Sequence, residues 1–225
     1  MCGRYFLHST ADKLTALFGE MPMPLLQPRY NIAPTQPVPI VRENAAGRRE
    51  MVLVRWGLIP GWSKGPDTRF SMINARVETV AEKPAYRSAL RYRRCLIPAD
   101  GFYEWRAQDG AKQPYVLRPR DTRPLAFAGL WEHWQDDGGS ELESCTILVR
   151  AADRQVGTIH DRMPVIIAPQ AFGLWLDSKS QKPQPIETLL AAQQPPELDI
   201  YPVGRAVNNP RNDAPALLDP IPEVG

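Results

Sequence analysis

The second residue of this chain is a cysteine, a placement that can give one side chain two reactive partners. With Met1 removed, Cys2 carries a free α-amine and a thiol on adjacent carbons. The small second side chain permits that removal. An α-amine titrates at about 7.7–8.0, so roughly a tenth of it is neutral and nucleophilic near pH 7. A lysine amine, at about 10.4, is almost wholly protonated there. An N-terminal cysteine can therefore attack an aldehyde through nitrogen to form a Schiff base, and its thiol can close a five-membered thiazolidine ring. Taken alone, a Met-Cys start reads first as an ordinary second residue.

Other residues offer proton transfer or hydrogen bonding. Glu104 lies within Gly101-Phe102-Tyr103-Glu104-Trp105. Strand alternation places Tyr103 and Trp105 on one face and Phe102, Glu104 and Arg106 on the other. A carboxylate among aromatic neighbours can have a raised pKa and serve as general acid or base. The alternative is a surface strand with Glu104 outward. His160 stands at the start of an apolar strand, Ile159-His160-Asp161-Arg162-Met163-Pro164, and histidine titrates near neutrality. It reads either as catalytic or as a histidine satisfied by a neighbouring carbonyl. Asn74-Ala75-Arg76 sets a neutral amide and a cation on one face if extended. Residues 61–65 match G-x-S-x-G, but a nucleophile elbow needs a strand before it and a helix after it. Pro60 and Pro66 flank this one, so it reads as an exposed loop whose Trp62 either stacks on a base or packs inward.

The elements that must carry these residues are short. Of 225 residues 24 are proline, about twice the usual share, and interior prolines break helices. Residues 10–18 read as a helix with Thr10 as N-cap and Gly19 beyond its end. Prolines 22, 24 and 28 predict an extended loop into Arg29-Tyr30-Asn31-Ile32-Ala33-Pro34. Strands are expected at 38–41, 51–56, 94–97, 102–106, 115–118, 125–131, 145–149 and 163–167, with a hairpin at Asp109-Gly110. The strands at 125–131 and 145–149 are expected to pair around the loop Asp136-Asp137-Gly138-Gly139. Helices are expected at 79–90, broken or offset by Pro84, and near 169–176. Hairpin-linked strands argue an α+β fold with antiparallel sheet and helices outside. One domain is expected over 1–214, followed by a proline-rich tail over 215–225.

Composition excludes several classes. Hydrophobic residues at 43% and charged residues at 23% are globular values. No apolar run approaches the roughly 20 residues that span a bilayer, and the start carries no signal-peptide core. A soluble, cytoplasmic protein is expected. Cys2, Cys95 and Cys145 form no C-x-x-C pair, and His8, His133 and His160 are scattered. No disulfide framework, metal or cofactor is expected. The net charge is +2 overall, but residues 1–112 carry +7 and residues 113–225 carry −5. Arginine supplies 21 of the 27 cations. That asymmetry suits a basic face for nucleic acid and equally a GC-rich coding sequence.

Six segments in order resemble the SOS-response-associated peptidase (SRAP) family. They are Met1-Cys2-Gly3-Arg4, Arg29 to Pro34, Arg55-Trp56-Gly57-Leu58-Ile59-Pro60, Asn74-Ala75-Arg76-Val77-Glu78-Thr79, Arg94 to Trp105, and Ile159 to Pro164. The resemblance runs from residue 2 to about residue 213. It implies a mixed α and β fold with an antiparallel, barrel-like core. It also implies binding to single-stranded DNA at abasic sites. There the processed N-terminal cysteine traps the ring-opened deoxyribose as a thiazolidine crosslink that shields the lesion.

The family's catalytic set falls on Cys2, Asn74, Glu104 and His160. The resemblance further implies that Arg4, Arg76 and Arg162 hold phosphates, that Trp62 packs against a base or sugar, and that Asn31 and Pro34 belong to the DNA-binding surface. A monomer, nucleoid-associated when on DNA, and self-removal of Met1 are the matching expectations. Two departures stand out. Val149-Arg150 occupies positions where many relatives carry threonines, and Ser63 stands where a second aromatic can follow Trp62. Two other functions remain open: a cysteine peptidase acting on other proteins, and a non-catalytic single-strand-binding module.

Overall fold

The computed structural model describes residues 2–65, 72–108, 110–177 and 183–222. In chain order the elements are β1 (Tyr5–Leu7), α1 (Ala11–Phe18), β2 (Arg29–Ile32), β3 (Pro37–Glu43), β4 (Arg49–Trp56), β5 (Asn74–Arg76) and α2 (Arg87–Tyr92). There follow β6 (Arg94–Ala99), β7 (Gly101–Gln108), β8 (Ala111–Pro119), β9 (Leu125–Gln135), β10 (Glu141–Ala151) and β11 (Arg162–Pro164). The last are α3 (Phe172–Leu176), α4 (Pro183–Ala192) and β12 (Leu198–Pro202). Among the described residues no helix is long and apolar enough to cross a membrane.

Five strands close on themselves in the order β4-β3-β6-β9-β10. The closing step is a parallel pairing of Ser144 and Cys145 with Arg55 and Trp56. Closure leaves no free edge within the ring. Pro37 and Pro39 pair with Arg55 and Leu53 of β4, while β6 meets β3 at Val41–Leu96. The prolines thus sit where a missing N–H costs no second ladder. The far half of β10 also takes β5 in parallel and β11 antiparallel.

A second sheet, in the order β12-β8-β7-β1-β2, covers the barrel. Tyr5 and Phe102 from this sheet meet Trp56 and Phe127 from the barrel edge-on, with ring centroids 5.3 Å apart for Tyr5–Trp56 and 5.9 Å for Phe102–Phe127. These aromatic contacts form the core between the layers. At Gly101 an added Cβ would lie 2.6 Å from the Leu117 carbonyl oxygen, so only glycine lets β1 and β8 close on β7 here.

Several expectations take a different form. Residues 29–32 form a strand rather than a loop, paired with β1. The predicted helix at 79–90 starts only beyond Pro84, at Arg87, because the proline ring excludes the preceding helical turn. Arg94 holds its end, donating to the Leu90 and Arg91 carbonyls at 2.8 and 2.9 Å, which have no partners within the helix. The helix near 169–176 is a 3₁₀ turn followed by α3. Thr10 precedes α1 but its hydroxyl does not cap it. Instead the buried Asp100 carboxylate accepts the His8 and Ser9 N–H groups at 2.6 and 2.7 Å.

At the predicted hairpin, Asp109 lies outside the described residues, while Gln108 pairs with Ala111 and Gly110 has φ +76°. The proline-rich segment from Pro215 is not a free tail. Leu217 is buried with Phe6, Tyr103, Val116, Val203 and Val207 on the outer face of the second sheet. Pro220 bridges Val203, and Ile221 N–H donates to the Pro202 carbonyl. Apolar residues spaced among the prolines dock it, since each buried side chain contributes about 1.5–3 kcal/mol.

Candidate active site

The site lies on the seam between the two layers. Cys2 leads into β1 and Glu104 sits on β7, both of the covering sheet. Asn74 opens β5, and His160 stands two residues before β11, both on the flank of β10. Strands set Glu104 and Asn74 in place, whereas His160 is set by a turn. The Asp153 carboxylate accepts the Val156 N–H at 2.8 Å, a 3₁₀ turn covers Val156–Thr158, and His160 N–H returns to the Val156 carbonyl at 3.0 Å.

Cys2 is fully buried, and its carbonyl accepts the Asn74 side-chain N–H at 2.8 Å. The opposite atom of that amide, Asn74 Oδ1, is buried without a partner among the described residues. A buried, unanswered acceptor at this depth is costly and can receive a hydrogen bond from a bound group. Burial, and then the charge of Glu104, push the Cys2 thiol well above its ordinary value. The group is thus held as a thiol, not a thiolate.

Glu104 is 2% exposed. Burial pushes its carboxyl up to about 7, where it can both take and return a proton at neutral pH. Its Oε2 lies 4.0 Å from His160 Nε2. His160 is lowered from its ordinary value, chiefly by burial. On the other side of its ring, Nδ1 accepts the Arg162 N–H at 3.0 Å and stands 2.9 Å from Asp161 Oδ1. Cys2, Asn74, Glu104 and His160 are therefore brought together.

The other sequence candidates divide. Trp62 is 71% exposed, so its ring does not pack inward. Its loop is fixed by Ile59 N–H on Ser144 Oγ and by the Trp134 indole on the Ser63 carbonyl, each at 2.8 Å. Arg76 is exposed on the strand that carries Asn74. Arg162 is ion-paired with Glu78 across the end of β10. Pro34 is half-buried in the turn before Gln36, next to Thr35 at φ 73°.

Asn31 and Arg4 tie distant segments of the chain together. Asn31 is 1% exposed, receives Arg4 Nη1 at 2.8 Å, and donates to the carbonyls of Val207, Asn209 and Asn212. Arg4 Nη1 also reaches the Val207 carbonyl at 2.7 Å. Asn31 therefore latches the C-terminal segment to the N-terminal strands. Nothing local in Tyr30-Asn31-Ile32 signals this, because its partners lie more than 170 residues along the chain.

Glu78 and Asp161 were passed over because a lone charge beside a motif reads as solvated surface. Val149 is buried between β5 and β11 and offers no hydroxyl. Arg150 turns to the Gln193 carbonyl at 2.8 Å.

Comparison with known proteins gives the same picture over the full length. The chain is 39% identical over 223 residues to the abasic site processing protein YoaM of Bacillus subtilis, covering 97% of this chain and 98% of that one. It is 30% identical over 230 residues to the abasic site processing protein YedK of Escherichia coli, covering 98% and 100%. With the abasic site processing protein HMCES of Xenopus tropicalis it shares 32% identity over 226 residues, covering 87% and 67%. A crystal structure of a protein from Bacteroides thetaiotaomicron matches at a TM-score of 0.84 and 25% identity, covering 98% and 100%. With residues 1–210 matching its family pattern as well, the chain belongs to the SOS response associated peptidase (SRAP) family.

Proposed function

We propose that this protein processes abasic sites in DNA and, once Met1 is removed, captures the ring-opened deoxyribose covalently through Cys2. The observation that carries the reading is the seating of Cys2. Its carbonyl is held by Asn74 at 2.8 Å, and Glu104 and His160 stand 4.0 Å from one another beside it. Similarity to proteins named for abasic site processing supports DNA as the substrate class.

The order of attack follows from the protonation states. The thiol is held protonated by burial, whereas an α-amine is partly neutral near pH 7. Nitrogen therefore attacks C1′ of the aldehyde first. Glu104 takes the ammonium proton beforehand, and the carbinolamine loses one water to give the imine. Sulfur then adds to the imine carbon while the thiol proton passes to nitrogen, closing the thiazolidine. His160 moves a proton at the sugar oxygen, and Asn74 orients the terminus without adding charge. Removal of Met1 consumes one water, and Glu104 assists it by proton transfer. Arg76 and Arg162 serve phosphates and Trp62 stacks beside the gap, so binding is salt-dependent and largely indifferent to sequence.

A peptidase that attacks other proteins through Cys2 needs a thiolate, which this site disfavours. The discriminating experiment is a denaturing gel of protein with single-stranded DNA bearing one abasic site. The expected result is a shifted band that survives heat and denaturant. It is absent with Cys2→Ala and with a blocked N-terminus. Intact abasic DNA and no covalent band with correctly processed protein would overturn the proposal.

A further inference from the structure

His160 is gripped on the ring edge that faces away from Glu104. There Nδ1 accepts the Arg162 N–H at 3.0 Å and stands 2.9 Å from Asp161 Oδ1. One ring nitrogen cannot satisfy both neighbours in one protonation state. Without a proton, Nδ1 suits the Arg162 N–H and is repelled by the carboxylate. With a proton, it donates to Asp161 and no longer accepts from Arg162. We infer that Asp161 is a positioning residue that lets His160 alternate between proton donor and proton acceptor at Nε2, the nitrogen facing Glu104. The inference rests on the proposed chemistry at Cys2.

The proton count for opening the sugar is then complete. His160 begins with protons on both nitrogens, the one on Nδ1 directed at Asp161. Nε2 gives its proton to O4′ as the C1′–O4′ bond breaks and its electron pair goes to O4′. The C1′ hydroxyl proton passes to the Glu104 carboxylate, leaving the aldehyde. His160 is left neutral with its proton on Nδ1, and Nε2 is now a base. The proton received by Glu104 then passes to Nε2, which restores the imidazolium and frees the Glu104 carboxylate to take the ammonium proton of Cys2.

Other charges also reach the ring. Glu104 faces Nε2 from β7, while Lys112 on β8 and the positive amino terminus both oppose imidazolium. The Arg162 guanidinium is neutralised by Glu78. Asp161 is the carboxylate nearest the ring and the one at Nδ1, so its removal leaves these opposing cations in place.

The test uses the full chain in three forms: wild type, Asp161→Asn and Asp161→Glu. Nitrogen-15 NMR follows the His160 ring through its titration. In parallel, the rate of covalent capture of a single-stranded oligonucleotide with one abasic site is measured across the same pH range. For Asp161→Asn the expected result is a His160 midpoint lower by about half a pH unit, a roughly threefold smaller imidazolium fraction above the midpoint. Its proton distribution moves from Nδ1 toward Nε2, and the His160 limb of the rate profile moves by the same amount. Asp161→Glu restores part of each. An unmoved His160 titration in Asp161→Asn overturns the inference, even if capture is uniformly slower. If wild type captures no DNA at any pH while the His160 titration still moves, the proposed chemistry falls and the Asp161–His160 coupling stands.

Discussion

Glu104 Oε2 and His160 Nε2 lie 4.0 Å apart although they belong to different layers, one on β7 of the covering sheet and the other on the turn into β11 beside the barrel. The gap between the two groups exceeds a direct hydrogen bond and is too short to seat an oxygen in line between them. The geometry depends on how the two layers are held, which is set by the aromatic contacts of Tyr5, Trp56, Phe102 and Phe127.

Glu104→Gln separates catalysis from stability. Loss of the proton-transfer group should slow covalent capture by about 10²-fold or more. The Glu104 carboxyl titrates at about 7 in the fold against an ordinary 4.5, so its pKa is raised on folding. Its contribution favours the native state below the unfolded value and is lost as pH rises through about 7. Glutamine carries no such penalty. Thermal or urea unfolding near pH 8 should find the variant more stable, by an upper bound of about 3 kcal/mol, with the advantage vanishing near pH 4.

Glu78→Gln should tighten DNA binding. In the free protein Glu78 neutralises the Arg162 guanidinium, so a phosphate must displace a carboxylate to reach it. Removing that competitor should lower the Kd for single-stranded DNA by about two- to fivefold, the scale of a partly exposed ion pair. The slope of log affinity against log salt should stay nearly the same, since Arg162 meets one phosphate in either protein. An unchanged Kd would show that Arg162 does not contact phosphate.

Trp62→Ala tests the exposed loop. The ring is 71% exposed, so unfolding stability should change by no more than about 0.5 kcal/mol. Affinity for single-stranded DNA, read by fluorescence anisotropy, should fall by about 1–3 kcal/mol if the ring stacks on a base. Equal affinity of the two proteins would remove Trp62 from the binding surface.

Asn31→Ala should behave as a structural lesion. Its side chain serves three buried or part-buried carbonyls of the 207–212 segment and one arginine. Unfolding should cost about 2–4 kcal/mol of stability. Hydrogen exchange should rise first over residues 205–213, with the barrel strands protected as before.

Local chemistry sufficed for much of this protein. The short apolar runs and their turn residues marked the strands from Val38 to Val149, because alternation and punctuation by glycine, proline and asparagine are local properties. The reactivity open to Cys2 followed from its position, but its seating against Asn74 did not. Whether Glu104 pointed inward was not, since Gly101-Phe102-Tyr103-Glu104-Trp105 alternates equally well in either orientation. The strand at 29–32 was hidden because its apolar content is low and its stability comes from pairing with β1.

What only the tertiary structure decided is how distant segments meet. The parallel closure of β10 on β4 joins residues about ninety positions apart and leaves no trace in hydropathy. The docking of residues 215–222 depends on a face of the covering sheet that no local pattern describes. The same holds for Asn31, buried against the 207–212 segment. Its identity states only that one donor group and one acceptor are available. Which groups answer them is fixed by packing across the whole chain, because a buried amide is stable only where its partners converge.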